Sequence, residues 1–451
     1  MNVAINKDFI NALSDCIREQ NSKSVLEMLA ELHPADIAEI FAELSVEEQS
    51  FILSLLDNEI SADVFLELEE DDRKRLLKQF STKEIAEELI NEMDTDDAAD
   101  IISELSEAQQ DEVIAQIEDK EHAQDIVDLL RYDEDTAGGL MRKEFVKVNT
   151  NWTVLTAVRE MRRQAEDLEE VYSIYVVDDD NILLGTLSLK KLLTTSSSTK
   201  LEEVYNKNVY YVKADDEDEN VAKIIQKYDL MEIPVVDELK RLLGIITVDD
   251  IIDVMRDEAE EDYQLAAGIT RNVDADDSIL TLTKARLPWL LIGMFGGVGA
   301  AGIMSNIQDK LGDFLILLSF VPLIQSTAGN VGIQSSAIVV QGLANGTIKD
   351  DVWKLIGKEF LLGLLNGLGI ALVVLMISHF IFGTSYLISL TICLALVTVI
   401  IVAATIGTFI PLFLNKRGMD PAVSTGPFIT TSNDIFGVFI YFLIAKIILG
   451  F

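Results

Sequence analysis

The sequence predicts a multidomain membrane protein with an all-α superhelical N-terminal domain, an α/β middle part and an α-helical transmembrane domain of five helices. Three observations predict this fold class. The 451-residue chain has a formal net charge of −40, and all of that charge lies in the first 270 residues, because ten basic and ten acidic residues balance each other from residue 271 onward. Five long apolar runs occupy this neutral part, and a repeat precedes it.

The composition excludes several classes of function. A chain this acidic repels phosphate backbones, so we expect no binding to nucleic acid. Cys16 and Cys393 lie far apart in parts of different character, which argues against a disulfide framework or a cysteine metal site. The N-terminus has no long apolar run, so no cleavable signal peptide is expected and the acidic half should stay in the cytosol.

Short amphipathic helices are predicted from Val25 to Ile117. Apolar residues recur there at helical spacing, each helix begins near a Ser, Asp or Thr that can serve as N-cap, and the pattern repeats about every twelve residues. Repeated short helices of this kind indicate a compact superhelical stack. Solvated helix faces account for most of its carboxylates.

From Val146 to Asp262 the pattern changes to alternating strands and helices, and it contains an internal repeat. Six residues reappear with the same offset of 59: Ile174, Val177, Asp178, Gly185, Ser188 and Lys191 correspond to Ile233, Val236, Asp237, Gly244, Thr247 and Asp250. The repeated unit is a strand, an acidic turn, a strand that contains Gly, and a Ser or Thr that caps a helix.

The helix that ends the second copy carries Asp250, Asp253, Asp257 and Glu261 on or near one face. Like charges at this spacing destabilise a helix, so another interaction should offset them. A divalent cation that bridges to another acidic surface is one candidate. A plain solvated face is the alternative.

Five apolar stretches are long enough to span a bilayer, which takes about 20 helical residues. They run roughly over Leu287–Ile307, Phe314–Val340, Phe360–Phe382, Tyr386–Leu414 and Val423–Ile448. Basic residues cluster on one side of these spans: Lys284, Arg286, Lys349, Lys354, Lys358, Lys416 and Arg417, against Lys310 on the other. The positive-inside rule then places the N-terminus in the cytoplasm. Buried helices of a large soluble protein are the alternative.

Two features inside the spans suggest a path for an ion. Asp434 lies about eleven residues into the fifth span, where a carboxylate normally faces water or a partner, and a bound cation is the natural counter-charge. A protonated structural Asp is the alternative. Pro322, Gly329 and Gly332 weaken the second span, and a broken helix in a membrane is tolerated where it lines a cavity.

The repeated middle part resembles a tandem pair of cystathionine-β-synthase (CBS) domains, which in many proteins sense ligands. The family's G-h-h-T-x-x-D pattern often contacts the ribose and phosphates of an adenine nucleotide. Gly244, Thr247 and Asp250 match this pattern, which makes ATP a possible ligand. The first copy has Lys191 in place of the Asp, so at most one half-site looks complete.

The whole chain resembles the MgtE family of magnesium channels and transporters. The resemblance rests on the domain order, on YDEDTAGGLM at 132–141, on PLIQSTAGNVGIQ in the second span and on DPAVSTGPFITTSND at the fifth. It implies an acidic helical N domain (1–133), CBS domains at 134–203 and 204–262, a linker and plug helix (263–286) and a transmembrane domain (287–451) in the bacterial cytoplasmic membrane.

The resemblance also implies roles for individual residues. The family is a homodimer in which the fifth-span Asp, here Asp434, holds hydrated Mg²⁺ with its symmetry mate. Gly329 and Asn330 help to line the path, and a plug helix at about Asp276–Arg286 precedes the first span. Where the family often has Asn before the fifth-span Pro, this chain has Gly426, so a side-chain ligand or packing contact is missing there.

In this family, Mg²⁺ bound between the cytosolic domains closes the pore. The matching carboxylates here are Asp96, Asp100, Glu219, Asp229, Asp250, Asp253, Glu258 and Glu261. The sequence shows no Ser-His-Asp set, Walker motif or zinc spacing, so no enzymatic activity is expected. Two alternatives stay open: transport of another divalent cation such as Co²⁺, Mn²⁺ or Zn²⁺, and a membrane-anchored CBS sensor of cations or nucleotides that transports nothing.

Overall fold

A computed structural model describes residues 5–166, 168, 170–271, 273–274, 277–348, 352–424 and 426–451. The chain divides into two compact units, Met1–Met255 and Arg256–Phe451. The first contains the acidic helices and the repeated α/β part. The second contains the apolar helices. Each unit is described by itself below.

The acidic N-terminal part is built from short helices, as the sequence pattern predicted. They are α1 (Lys7–Arg18), α2 (Ser22–Leu29), α3 (Pro34–Phe41), α4 (Val46–Leu53), α5 (Asn58–Leu66), α6 (Glu70–Leu77), α7 (Thr82–Glu84), a π-helical turn (Ile85–Leu89), a 3₁₀ turn (Ile90–Glu92), α8 (Thr95–Ser103), α9 (Glu107–Ile114) and α10 (Lys120–Leu129). Capping boxes start three of them, where His33 pairs with Asp36, Ser45 with Glu48 and Ser81 with Glu84. Their apolar faces form one shared core around Phe41.

Two three-stranded sheets form the repeated part. The first has strands β1 (Val146–Asn149), β2 (Ile174–Val177) and β3 (Leu183–Leu187), with helices α11 (Val154–Gln164) and α12 (Leu189–Thr194); a 3₁₀ turn (Leu201–Glu203) leads on to the second sheet. The second has β4 (Val212–Lys213), β5 (Glu232–Val236) and β6 (Leu242–Thr247), with α13 (Asp218–Tyr228) between its first two strands. In both, the first pair is parallel and the second antiparallel.

The internal repeat extends to the backbone. Asn181 and Lys240, which are 59 residues apart, are both left-handed, with φ of 63° and 64°. The two turns also pair with each other, because Leu183 N–H donates to the Lys240 carbonyl (2.9 Å) and Leu242 N–H donates to the Asn181 carbonyl (3.0 Å). The two copies are therefore related by an approximate two-fold arrangement.

The segment that follows the N-terminal helices crosses the second sheet. Arg142 N–H donates to the Ile245 carbonyl (2.8 Å), and Ile245 N–H donates to the Arg142 carbonyl (3.0 Å). A Cβ on Gly244 would lie 2.7 Å from the Arg142 carbonyl oxygen, so this position needs glycine. The crossing attaches the acidic helices to the second repeat, and both contribute to one hydrophobic core.

The apolar part contains five helices long and apolar enough to cross a membrane within the described ranges. They are α15 (Ile279–Gln308), α16 (Val321–Ala344), which follows a 3₁₀ segment (Gly312–Phe320), α17 (Val352–Met376), which ends in a π-helical turn (Ile377–Ile381), α18 (Tyr386–Asn415) and α19 (Gly426–Leu449), which follows a 3₁₀ turn (Ala422–Ser424). Before them, α14 (Val248–Ala267) continues directly from β6.

Two sequence expectations about these helices were wrong. No separate plug helix occurs at 276–286 among the described residues: Ile279–Arg286 form the first turns of α15, since nothing before Pro288 breaks the helix. Asp276, the predicted start, lies outside the described residues. The second span is also unbroken from Val321 to Ala344. Pro322 stands in its first turn, where the missing N–H removes no helical hydrogen bond.

Candidate functional site

A cavity of about 730 Å³ lies in the membrane-spanning unit, and Asp434 is one of its walls. Its lining residues are Ala267, Gly268, Ile269, Arg286, Trp289, Leu290, Gly293, Ile333, Gly426, Pro427, Thr430, Thr431 and Asp434. The α19 positions 427, 430, 431 and 434 have the spacing of one helix face. This face presents a carboxylate and two hydroxyl groups to the cavity.

Asp434 lies nearer one helix end than the sequence suggested. Because α19 begins at Gly426 rather than Val423, Asp434 comes eight residues after the first helical residue, about 12 Å along the axis. The side chain is half-buried. Ala267, Gly268 and Ile269, at the end of α14 and just after it, line the same cavity as the carboxylate.

The three predicted path-lining residues have different surroundings. Gly426 lines the cavity directly. Gly329 is buried in α16, where a Cβ would lie 3.5 Å from Cγ2 of the cavity residue Thr430, an ordinary contact distance, so it lies beside the cavity wall without lining it. Asn330 is exposed on α16 and is not among the lining residues. Ile333, one turn further along, contributes to the wall instead.

Gly426 is tightly packed against the segment that follows α14. Its φ is +47°, and a Cβ there would lie 2.4 Å from the Ala266 carbonyl oxygen. Gly268 has φ of +83°, and its Cβ would lie 2.4 Å from Cγ of Pro427. The missing side chain at Gly426 is therefore a steric requirement in this chain, because the Ala266–Gly268 backbone occupies the space.

One chain does not provide a complete metal site from acidic, His and Cys side chains. Within the described ranges, no three such groups are arranged to hold an ion. Asp434 shares its cavity with two hydroxyl groups, with backbone and with the side chain of Arg286, and no second carboxylate is among the lining residues. Such a wall suits a cation that keeps much of its own water and exchanges few ligands.

Glu359 is a buried carboxylate in the membrane-spanning unit that the sequence analysis missed. It is 5% exposed, and Ser335 Oγ of α16 donates to its Oε2 (2.9 Å). The sequence placed the third span at Phe360, one residue later, whereas α17 begins at Val352. The apolar residues Val352 and Trp353 were the signal that the helix starts earlier. Glu359 ties α17 to α16, the helix that carries Gly329.

An acidic cluster connects α8 with the start of α14. Asp96 is 8% exposed, and burial raises its pKa well above the usual range, with the charges of Asp97 and Asp250 adding to the shift. Burial and the charges of Asp250 and Asp94 raise the pKa of Asp97 to about 7. Arg142 Nη1 lies 2.6 Å from Asp94 Oδ2 and is the cationic neighbour. The cluster concentrates negative charge with little compensation.

Asp100 and Asp250 complete the predicted set at this place. Loss of hydration raises the pKa of Asp100 to about 6, with the Glu134 charge contributing, although the residue is still exposed at the surface. Asp250 accepts hydrogen bonds from the N–H and hydroxyl of Thr247, which forms the start of α14. Asp250 is therefore near enough to raise the pKa of both Asp96 and Asp100, although the three do not form a complete metal site within the described part of one chain.

The other predicted sensor carboxylates lie elsewhere. Glu219 on α13 forms an ion pair with Lys223 (2.7 Å). Asp229 is exposed at the C-cap of the same helix in a left-handed conformation, with φ of 51°. Asp253 is exposed on α14, and Glu258 and Glu261 follow on the same helix in the second compact unit. Glu219, Asp229 and Asp253 are not among the charges that shift the pKa values of Asp96, Asp97 and Asp100.

The predicted nucleotide residues are less accessible than their motif suggested. Thr247 is 0% exposed, and Gly244 is covered by the Arg142 backbone. A cleft of about 310 Å³ lies nearby, lined by Asp94, Arg142, Glu144, Leu168, Glu170, Tyr172 and Asp249. Its walls are predominantly acidic, with one guanidinium, so a bare triphosphate would be repelled.

Comparison with protein families gives matches along most of the chain. The profile of the MgtE divalent cation transporters matches residues 321–444, that of the MgtE intracellular N domain matches 32–135, and that of the CBS domain matches 137–198 and 201–257. The first profile therefore matches within the second compact unit, and the other two match mostly within the first.

Similar proteins include the magnesium transporter MgtE of Thermus thermophilus, 32% identical over 97% of this chain and 98% of that protein. The magnesium transporter MgtE of Bacillus subtilis is 33% identical over 95% of each. Among solved structures, the soluble part of a magnesium transporter is 33% identical, with a TM-score of 0.50 over 56% of this chain and 99% of that one. The cytosolic domain of the Mg²⁺ channel MgtE in complex with ATP is 35% identical, with a TM-score of 0.50 over 54% and 99%.

The acidic cluster predicts how stability depends on pH. With pKa values of about 7 and 6, Asp97 and Asp100 bind protons in the folded chain at a pH where unfolded Asp, with a pKa near 3.9, has lost them. Protonation of these two groups therefore favours the folded chain. This stabilisation is fully present below about pH 4 and is lost as the pH rises to 7. We expect the melting temperature of Asp97→Asn in detergent, without divalent cations, to fall less between pH 5 and pH 7.5 than that of the wild type.

The matched control is Asp111→Asn, at an exposed position of α9. Its melting temperature should follow the wild-type curve. Identical pH slopes in the wild type and in Asp97→Asn would contradict the prediction.

Proposed function

The chain belongs to the MgtE family, and from this premise we propose that it conducts Mg²⁺ across the membrane along a path that contains Asp434. The observation that carries the proposal is the placement of this carboxylate, with Thr430 and Thr431, on the wall of a cavity inside a bundle of membrane-spanning helices. A carboxylate in this position has functional value only if water or a cation reaches it.

The dimensions and chemistry of the cavity favour a hydrated hard cation. Six waters at about 30 Å³ each occupy roughly 180 Å³, well below the cavity volume of about 730 Å³. Mg²⁺ prefers oxygen ligands and releases water reluctantly. Cys393 and His379 lie in the membrane-spanning helices but are not among the lining residues. This arrangement favours Mg²⁺ over the soft-ligand chemistry that Zn²⁺ or Co²⁺ would use.

A homodimer would complete the site. One chain supplies one cavity carboxylate, Asp434, and a divalent cation requires more negative charge to balance its own. A second copy related by a two-fold axis would supply the same residue from the opposite side. The cation would then be held by two carboxylates through its water shell, which permits both entry and release.

The chain is a multi-pass membrane protein, and we place its N-terminal unit in the cytoplasm of a bacterial cell. The basic residues between the spans support this orientation, since Lys354, Lys358, Lys416 and Arg417 lie on the same side as the first unit by the order of the spans. The acidic unit would then be exposed to the cytosolic Mg²⁺ concentration, and the apolar faces of the five helices would contact lipid.

Cytosolic Mg²⁺ would close the path by binding to the acidic cluster. Asp96, Asp97, Asp100 and Asp250 repel each other where they meet, and oxygen ligands of this kind suit a divalent cation. Bound Mg²⁺ would displace protons from these carboxylates and offset their mutual repulsion by bridging them. Because Mg²⁺ would bind this bridged conformation more tightly, it would shift the chain towards the conformation in which the path is closed. Glu219, Asp229, Asp253, Glu258 and Glu261 would act at contacts with the second copy.

Helix α14 offers a direct connection from the cluster to the cavity mouth. Asp250 lies in its first turn, and Ala266 near its end contacts Gly426 at the start of α19. Ala267 and Gly268 are themselves lining residues of the cavity. A shift of α14 would therefore move the wall of the cavity that Asp434 faces.

A nucleotide is a second ligand that we propose for the cytosolic unit. A relative's cytosolic domain was solved with ATP. The acidic cleft here contains Tyr172, which is exposed, and Arg142, whose buried Nε has no hydrogen-bond partner within the described residues. Because carboxylates surround Arg142, we favour a Mg²⁺-complexed nucleotide over the free tetra-anion.

Neutralising Asp434 tests the transport proposal. Asp434→Asn keeps the shape of the side chain and removes its charge, so the uptake of Mg²⁺ into proteoliposomes should fall at least about tenfold, the effect of losing about 1.4 kcal/mol of interaction. The variant should also fail to restore growth of a bacterium that lacks Mg²⁺ uptake. Asp309→Asn, exposed beyond the end of α15, is the control and should transport normally. Wild-type flux in Asp434→Asn would refute the assignment, and competition with Co²⁺, Mn²⁺ and Zn²⁺ would identify the preferred ion.

Removing the α14 charges tests the regulatory proposal. A variant with Asp250→Asn, Asp253→Asn, Glu258→Gln and Glu261→Gln should require several-fold more cytosolic Mg²⁺ for half-inhibition, because the bridging cation loses its ligands. The measurement is channel current in membrane patches while Mg²⁺ varies on the cytosolic side. A control with the same charge change alters four exposed carboxylates of the N-terminal part, Glu107, Asp111, Glu112 and Glu118. Equal inhibition in both variants would exclude the α14 carboxylates as the sensor.

The contact at Gly426 tests the connection between α14 and α19. Gly426→Ala places a methyl group about 2.4 Å from the Ala266 carbonyl oxygen and should displace the segment from the cavity mouth. We expect weaker inhibition by cytosolic Mg²⁺, with current persisting at concentrations that close the wild type. Gly297→Ala is the control, since a Cβ there meets no atom within 4 Å. Unchanged inhibition in Gly426→Ala would show that this contact does not transmit closure.

A further inference from the structure

Asn433, the residue before Asp434, is a buried amide in the membrane-spanning unit. It is 2% exposed. It lies on the face of α19 that also carries the buried Ile429 and Gly437, and Gly437 packs towards Ala328 and Ile324 of α16. A polar side chain at such a place is expensive unless it is hydrogen-bonded, so its partner determines why it is there.

The partner is the backbone of α16. Asn433 Nδ2 donates to the Ala328 carbonyl oxygen at 3.2 Å. A carbonyl oxygen has two lone pairs, so it can accept this bond as well as the helical bond from the N–H four residues later. The contact is therefore compatible with the unbroken helix from Val321 to Ala344.

Two glycines make room for this contact. A Cβ on Gly332 would lie 2.1 Å from Asn433 Nδ2, so any side chain there would displace the amide. Helix α18 approaches the same residue of α16, because a Cβ on Gly407 of α18 would lie 2.4 Å from the Gly332 carbonyl oxygen. The three helices α16, α18 and α19 thus meet closely around the Asn433 side chain.

The direction of Asn433 determines the direction of Asp434. Successive residues of an α-helix point about 100° apart, because 3.6 residues make one turn. With Asn433 held against α16, Asp434 lies on the adjacent face together with Pro427, Thr430 and Thr431, which line the cavity. A rotation of α19 by one residue would exchange the carboxylate for a buried position.

We propose that Asn433 is a positioning residue that aims the Asp434 carboxylate into the cation path. The inference rests on the proposed function, because it assigns Asn433 a role through Asp434. The hydrogen bond to Ala328 fixes the rotation of α19 about its axis, and Gly332 provides the space for it. Loss of the bond should weaken cation binding at Asp434 more than it slows the maximal rate.

The first measurement is the kinetics of Mg²⁺ uptake into proteoliposomes. Asn433→Ala should raise KM about tenfold while Vmax changes less than about threefold. Gly332→Ala, which disturbs the same contact from α16, should have the same effect. The control is Asn306→Ala, since the Asn306 amide donates to a carbonyl of its own helix, Gly302, at 2.9 Å. A single symmetrical peak in size-exclusion chromatography identifies variants that have folded.

The second measurement reports the direction of the side chain without transport. In a chain with Cys16→Ser and Cys393→Ala, Asp434→Cys introduces a thiol, and its rate of modification by a water-soluble methanethiosulfonate reagent measures its access to the cavity. Adding Asn433→Ala should slow this reaction at least about fivefold, and adding Asn306→Ala should not.

The two readouts separate the two proposals. If the wild type transports no Mg²⁺, the proposed function is wrong. The thiol reaction still tests whether the side chain at position 434 points into the cavity. A normal KM in both Asn433→Ala and Gly332→Ala overturns the inference. An unchanged thiol reaction also overturns it, even where KM rises, because Asn433 would then act by another route.

Discussion

The crossing of α16, α18 and α19 at Gly332 is the constraint on which the membrane-spanning unit depends. Two backbones approach there without side chains, and the space that remains holds one amide, Asn433. In a lipid environment helices gain little from apolar contact with each other, so close packing and interhelical hydrogen bonds determine how they associate. The direction of the Asp434 carboxylate follows from this packing rather than from its own contacts.

The N-terminal unit has a shared hydrophobic core, but at one place in it carboxylates repel each other. Four carboxylates meet between α8 and α14, and Arg142 provides the nearby positive charge. Burial removes water from these groups, so they must bind protons or a cation to remain together. The same helix, α14, begins at this cluster and ends beside the cavity mouth.

Much of this arrangement was predictable from the sequence, and the exceptions have physical causes. The five spans, the short acidic helices and the repeat followed from hydrophobic periodicity, since burial controls those patterns directly. Pro322, Gly329 and Gly332 suggested a broken helix, but Pro322 lies in the first turn of α16 and the helix is continuous. Glu359 was missed because a charged residue appeared to end a span. The contacts of Asn433 and Gly244 could not be predicted, because their partners lie 105 and 102 residues away in the chain; Gly244 was assigned to a nucleotide motif instead.

The paired glycines at the cavity mouth also limit how this sequence can vary. Gly426 and Gly268 both have positive φ, and each leaves space for backbone or ring atoms beside the other. A side chain at either position requires the other segment to take a different course. The two positions should therefore change together during evolution. Variation at this pair would distinguish sequences in which the segment after α14 follows a different course.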